Sequence, residues 1–426
     1  MKYSIIIIAV LMLFIASVIY LLMIQSRGPL WIIEEISYHA RDGFELKAWL
    51  LRPQVINGKY PAVACFHHAW GNRDDFLKLF PYFAESGIIA ISPNLPRELP
   101  NYDPNRFQDL TDTINYLETL AYVDAKRIGM VTSSLSVNTG AMAIQGKPNV
   151  IADVMLSGPI INEDTRKWLT INSDLALFIV VSIYEAPNYD LMQEYYARSL
   201  HPLTRAYFID NPEKRFVVES HGIYLFDTYP VTLPKIRQFF KDVFHIQSKN
   251  YGYIKKPLPD NTVYIPSTDG FPFFATFALP KNKISNVPAV ILYPPRYHSR
   301  TYYDKLVNEL LSKGIAVLAA NNKRTCRYAD TEFLCDREIK GAVNYLLSQR
   351  KIDKKRTAIV FPSAYFLAGK SLAINNQLSV NKAIFVENGD FNYKIEPKKI
   401  QKAYNKILYL PTMDFDKLAA LIEKEL

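Results

Sequence analysis

The sequence predicts an α/β fold: two tandem doubly wound units behind an N-terminal transmembrane helix. Three observations carry that reading. The first is an internal repeat. Asp42-Gly43-Phe44 recurs as Asp269-Gly270-Phe271, Pro61-Ala62-Val63 as Pro288-Ala289-Val290, and Gly87-Ile88 as Gly314-Ile315, all at an offset of 227. Asn115-Tyr116-Leu117 recurs as Asn344-Tyr345-Leu346, and Asp124, Lys126 and Arg127 recur as Asp353, Lys355 and Arg356, at an offset of 229. Self-similarity of this kind marks a repeated architecture. The second observation is that short apolar strand patterns alternate with amphipathic helical ones, the pattern of a mostly parallel sheet covered on both faces. The third is the uncharged run Tyr3–Ile24. As a helix it spans ~33 Å at about 1.5 Å per residue, enough to cross a bilayer core.

The elements follow in order. Ile36–Leu51 reads as two strands around the Asp42-Gly43 turn. Ala62–Phe66 is a continuous apolar run, as in a strand buried on both faces. Asp74–Ser86 has helical periodicity and stops at Gly87, after which Ile88–Ser92 is a strand. Phe107–Leu120 is an amphipathic helix, and Ile128–Val131 is a strand leading to Ser133-Ser134. Ala152–Leu156, Leu177–Ser182 and Arg215–Glu219 supply further strands. Pro257–Asn261, with its two prolines, is the expected linker. The second copy continues from Thr262, with later strands at Ala383–Val386 and Ile407–Leu410 and a final helix at Asp416–Leu426. The predicted division is an anchor at 1–27, a first domain at 28–250, a linker at 251–261 and a shorter second domain at 262–426. The two domains are expected to pack on each other.

Composition bounds the function classes. Hydrophobic residues make up 49% and aromatic residues 13% of the chain, enough for packed cores rather than disorder. The net charge of +9 is uneven, because the excess of Lys and Arg lies from Lys255 onward. A lysine-rich solvated surface accounts for it; attraction to anionic headgroups is the sharper reading. No Arg-rich motif with interleaved aromatics points to nucleic acid. The three cysteines, Cys65, Cys326 and Cys335, make no disulfide framework, although the last two could pair in an oxidising compartment. No metal, nucleotide or flavin signature is present, so no cofactor is expected. Val18–Ile24 follows Ala16-Ser17, which disfavours a cleaved signal and leaves a single-pass anchor. Lys2 and Arg27 nearly balance the positive-inside rule, with a weak lean to an extracytoplasmic globular part.

The stretch Thr132-Ser133-Ser134-Leu135-Ser136 follows a strand, and the repeat sets Ser363 opposite Ser134. A serine at a strand-to-helix junction is ordinarily an N-cap. An acyl-transfer serine at that junction needs a base and a group to orient the base. Tyr122-Val123-Asp124-Ala125-Lys126-Arg127-Ile128-Gly129 leads into this strand, and His221-Gly222, Leu225-Phe226 and the helix Leu233–Phe240 follow later in the same copy. Over Ile36–Phe244 the first copy resembles the dienelactone hydrolase and prolyl-oligopeptidase-like branch of the α/β-hydrolase superfamily. The second copy reads as a degenerate duplicate.

The resemblance implies Ser134 as nucleophile, His221 as general base and an acid at or near Glu185, with Asp190 as the neighbouring alternative. It implies an oxyanion hole of backbone N–H groups at His68 or Ala69 and at Leu135. The chain departs from the family where Thr132 and Ser136 stand for the two elbow glycines and where His67-His68 stands for His-Gly. His67 and His68 themselves read as structural or pocket-lining. The second copy has a single histidine, His298, which the offset matches to Gly71 rather than to the base; Asp414 falls at the acid position. That copy reads as a non-catalytic lid, wall or interaction surface. The resulting expectation is a membrane-anchored serine hydrolase acting on an ester, thioester or peptide acyl substrate. The rivals are an inactive scaffold on the same fold and an acyltransferase.

Overall fold

The computed structural model describes Met12, Ser17 and residues 30–426, apart from 69–70, 96–103, 161, 186–187, 211–220, 248–252, 255–260, 269–271, 282–284, 295–299, 322–331, 363–379, 387–406 and 411–413. The chain divides into two compact units, Met1–Ala69 with Arg73–Pro257, and Leu258–Leu426 with Trp70–Asn72. Each is α/β with a mixed sheet.

Among the described residues the first sheet has nine strands: β1 (Leu30–His39), β2 (Glu45–Pro53), β3 (Tyr60–Phe66), β4 (Ile89–Pro93), β5 (Val123–Ser133), β6 (Val150–Leu156), β7 (Ala176–Ser182), β8 (Arg205–Ile209) and β9 (Tyr253–Ile254). Their order across the sheet is β8-β7-β6-β5-β3-β4-β2-β1-β9. Strands β4, β3, β5, β6, β7 and β8 are mutually parallel, and β2 runs against β4 and β1. The parallel centre explains the unbroken apolar runs: every residue of β7 is buried, and so is all of β3 after Tyr60. Among the described residues, the helices of this unit longer than one turn are α1 (Phe80–Glu85), α2 (Pro104–Thr119), α3 (Leu135–Ile144), α4 (Glu163–Ile171), α5 (Asn188–Arg198) and α6 (Thr232–Val243). Helix α6 packs on α1, with the Phe83 and Phe240 rings edge-on at 5.7 Å and an Arg237–Glu85 ion pair.

Among the described residues the second sheet has seven strands: β10 (Thr262–Pro266), β11 (Pro272–Ala278), β12 (Val287–Leu292), β13 (Ala316–Ala320), β14 (Ile352–Pro362), β15 (Lys382–Val386) and β16 (Ile407–Leu410). Their order, β10-β11-β13-β12-β14-β15-β16, repeats that of β1-β2-β4-β3-β5-β6-β7. The register repeats as well. Val63 pairs with Ala90 and Gly129, and Val290, 227 further on, pairs with Val317 and Ala358. The irregularity between Tyr60 and Ala62 recurs between Val287 and Ala289. Its helices are α7 (Asp304–Ser312), α8 (Glu332–Ser348) and α9 (Phe415–Glu425).

A buried polar node after the third strand is shared in part. Asn94 Oδ1 accepts the Arg73 N–H at 3.1 Å, and Asn321 Oδ1 accepts the Arg300 N–H at 2.8 Å. The Arg73 guanidinium lies 4.0 Å above Trp49 and bonds Glu35 at 2.6 Å. Arg300 instead bonds the hydroxyls of Thr262 and Thr276, the counterparts of Glu35 and Trp49.

Several expectations change. The helix expected over Asp74–Ser86 is a 3-10 turn at Arg73–Phe76 followed by the short α1, whose first turn holds Pro81, a residue with no N–H to continue a preceding helix. Strand β5 begins five residues before the expected Ile128, because Val123–Arg127 joins it through the register shift. The strand expected at Arg215–Glu219 lies outside the described residues; β8, in the half-buried segment Arg205–Ile209, was not anticipated. Residues 257–260 of the linker, His298, Cys326 and Ser363 also lie outside them. Cys65 is buried in β3, where burial pushes its thiol well up. Of Tyr3–Ile24 only Met12 and Ser17 are described, and among the described residues no helix is long and apolar enough to cross a membrane. The final helix expected at Asp416–Leu426 is α9, Phe415–Glu425. It buries Leu418, Ala419 and Ile422 against Leu306 and Leu310 of α7, the placement that α6 has against α1 in the first unit.

One buried carboxyl lies under the strand that carries Ser134. Asp153 of β6 accepts a hydrogen bond from the Thr132 hydroxyl of β5 at 3.1 Å, and among the described residues its other oxygen has no partner. Burial raises its pKa to about 7, with the Thr132 bond partly opposing. A carboxyl whose folded pKa exceeds its unfolded value of about 3.9 contributes its stability in full below pH ~4. That contribution falls as pH rises toward about 7 and stays lost above, at about 1.4 kcal/mol per pKa unit. Asp153→Asn is expected to raise stability at pH 8 relative to wild type and to flatten the decline between pH 4 and 7. Urea unfolding at pH 5 and pH 8 measures both; an unchanged difference between the two pH values would show that Asp153 is not the group responsible.

Candidate active site

Strand β5 ends at Ser133 and helix α3 begins at Leu135, so the chain reverses within the single residue Ser134. That residue has φ 53° and ψ −115°, a left-handed region costly for any side chain-bearing residue, at about 1–3 kcal/mol. The turn is held from several sides. Leu156 O at the end of β6 accepts the Ser134 N–H at 2.8 Å, and Ser134 O accepts the Val137 N–H at 3.0 Å. Gly158 lies directly against the Ser134 carbonyl, where a Cβ would overlap the oxygen. The Ser134 hydroxyl makes no capping bond to the helix, so the ordinary role of a serine at this junction is not taken.

The hydroxyl instead meets His221, whose Nε2 is 2.7 Å from Ser134 Oγ. On the far side of the ring, His221 Nδ1 bonds Glu185 Oε1. Glu185 lies just after β7 and is 8% exposed; its Oε1 also accepts from Asn188 Nδ2 at 2.7 Å, at the start of α5. His221 is reached through Gly222, which has φ 58° and lies so close to the Ser133 hydroxyl that a Cβ would collide with it. Ser134, His221 and Glu185 thus come together from three separate segments. Asp190 lies exposed in the first turn of α5.

The loop after β3 lies beside this turn. Leu135 is the first residue of α3, so its N–H is among those that a helix leaves without an intrahelical partner. His68 is buried, with Nε2 4.0 Å from Asp75 and its ring tilted against Tyr224. Ala69 lies outside the described residues. His67 is a brace: its Nε2 accepts the Leu95 N–H at 3.0 Å, which leaves the proton on Nδ1 to donate to His68 O at 2.7 Å. The two residues at the elbow-glycine positions are fully buried and both bonded. Thr132 reaches Asp153, and the Ser136 hydroxyl donates to His67 O. Among the described residues no group of three His, Cys, Asp or Glu side chains is gathered as metal ligands would be.

Sequence reasoning did not single out Gly158, Asn188 or the bonds made by Thr132 and Ser136. Gly158 had a signal, since Ser157-Gly158 directly follows the strand Ala152–Leu156 beside β5. Asn188 had none.

No protein-family model and no curated relative matches the chain. Part of it is similar to solved structures. An esterase of Pyrococcus furiosus is 13% identical with a TM-score of 0.41, over 50% of this chain and 91% of that one. An esterase of Pyrobaculum calidifontis is 15% identical with a TM-score of 0.39, over 53% of this chain and 90% of that one. A thermostable carboxylesterase cloned from a metagenomic library is 15% identical with a TM-score of 0.39, over 53% of this chain and 94% of that one.

Proposed function

We propose that the chain is a serine hydrolase of the α/β-hydrolase superfamily acting on an ester, thioester or peptide acyl group, and that its first unit carries the chemistry. One observation supports this above the others: the Ser134 hydroxyl, the His221 ring and the Glu185 carboxylate form one continuous hydrogen-bonded relay. In this reading His221 Nε2 takes the Ser134 proton as Oγ attacks the acyl carbon. Glu185 holds the ring by Nδ1–H and stabilises the imidazolium that forms. The developing oxyanion lies at the N–H of Leu135 and those of the loop after β3. His221 then returns its proton to the leaving group, and a water activated by the same ring hydrolyses the acyl-enzyme. An alcohol or amine in place of that water would make the same site an acyltransferase.

The chain as a whole reads as a duplication. The shared strand order, register and Arg–Asn node support it, and the first copy's branch is the dienelactone hydrolase and prolyl-oligopeptidase-like one. The second copy is a non-catalytic partner of the first, because its one histidine in the sequence, His298, matches Gly71 rather than the base; among the described residues its strand order runs to the counterpart of β7. The uncharged Tyr3–Ile24 anchors the protein in a membrane, with the globular part extracytoplasmic.

A fluorophosphonate probe is expected to label the folded wild-type protein at neutral to alkaline pH. Labelling should vanish in Ser134→Ala and persist in Ser363→Ala. His221→Ala and Glu185→Gln should each lower ester hydrolysis by roughly 10⁴-fold. A folded wild type that takes up no probe would instead support the scaffold reading. For the anchor, the full chain is expected in the membrane pellet after alkaline carbonate extraction, and a chain beginning at Arg27 in the supernatant. Recovery of the full chain in the supernatant would remove the anchor from the proposal.

A further inference from the structure

Ser136 stands where a nucleophile turn of this kind ordinarily has glycine, and it is fully buried. A buried serine in the first turn of a helix usually satisfies its hydroxyl within that helix. This one donates out of the helix, to the carbonyl oxygen of His67, 69 positions away in the loop after β3. The acceptor belongs to a planar trans peptide unit whose other end is the N–H of His68. Fixing the carbonyl therefore fixes the orientation of that N–H. The next unit is fixed by a different group, since His67 Nδ1–H holds the His68 carbonyl at 2.7 Å while the Leu95 N–H holds the same ring at 3.0 Å. His67, His68 and Ser136 are each less than 5% exposed, so water does not compete for these bonds.

We infer that Ser136 is a positioning residue: its hydroxyl locks the oxyanion-binding loop at His67-His68 onto the helix that begins beside Ser134. The inference rests on the hydrolase reading above. Preorganised donors stabilise a developing charge only as well as they are held, and removing one such donor outright costs roughly 10²–10³ in kcat. Loosening its support costs less. A side chain at 136 also does here what a glycine does not: it couples the nucleophile turn to the loop directly.

The test uses the full chain, p-nitrophenyl acetate as substrate and a trifluoromethyl ketone as transition-state mimic. Ser136→Ala is expected to lower kcat about 10–100-fold with KM within about twofold, and to weaken ketone binding by the same factor as kcat/KM. The pH at which activity rises should stay unchanged, since His221 and Glu185 are untouched. Hydrogen–deuterium exchange in the peptide covering Phe66–Asn72 should accelerate. Ser136→Gly, which leaves more room, should show the same split if Ser136→Ala folds poorly. A labelled wild type whose Ser136→Ala and Ser136→Gly variants keep kcat and ketone affinity within twofold would overturn this inference alone. An unlabelled wild type would overturn the hydrolase reading and this inference with it.

Discussion

Everything at the site depends on one backbone constraint, the passage of the chain through a left-handed conformation at Ser134. A serine held there presents its hydroxyl away from both strand and helix and cannot relax into capping the helix. The strain is offset by its neighbours: the Leu156 carbonyl at the end of β6, the side chain-free Gly158, and the first turn of α3. The same end of the sheet delivers Glu185 after β7, so the relay is assembled where parallel strands end together. Substituting Gly158 and displacing the serine are therefore one physical event.

The two sheets show what such a framework needs and what it can do without. Strand order, register, the offset irregularity in the third strand and the asparagine that accepts an arginine backbone N–H all recur in the second unit. These features pack and pin the sheet. The guanidinium partners differ, an aromatic face and a carboxylate in one unit and two threonine hydroxyls in the other. What recurs between the two units is the support, whereas the histidine that meets the Ser134 hydroxyl lies in the first unit.

Most of this architecture was legible in the sequence. Buried parallel strands are continuous apolar runs, and β3, β6 and β7 fell where those runs fell. The family resemblance pointed to Ser134 and His221, and to an acid at or near Glu185 with Asp190 as the alternative. In the structure Glu185, just after β7, meets the His221 ring, whereas Asp190 lies exposed in the first turn of α5. Less legible was anything whose meaning lies in a partner distant along the chain. Strand β8 is half-buried and its apolar run, Ala206–Ile209, is short, and the helix expected over Asp74–Ser86 was divided by a proline whose effect periodicity alone does not register. Thr132 and Ser136 looked like departures from a glycine pattern, and only their partners Asp153 and His67 give them a role.

The pairing of β9 with β1 has a spatial consequence. Leu30 lies beside Tyr253, so the polypeptide arrives at the same corner of the first sheet twice. Across the sheet, Ile33 is level with Leu51, Ala90, Val63 and Gly129. Leu30 lies three residues below that level and Ser134 five above it, a separation of ~26 Å at about 3.3 Å per residue. Leu30 therefore joins the sheet at its foot, whereas Ser134 lies at the opposite rim.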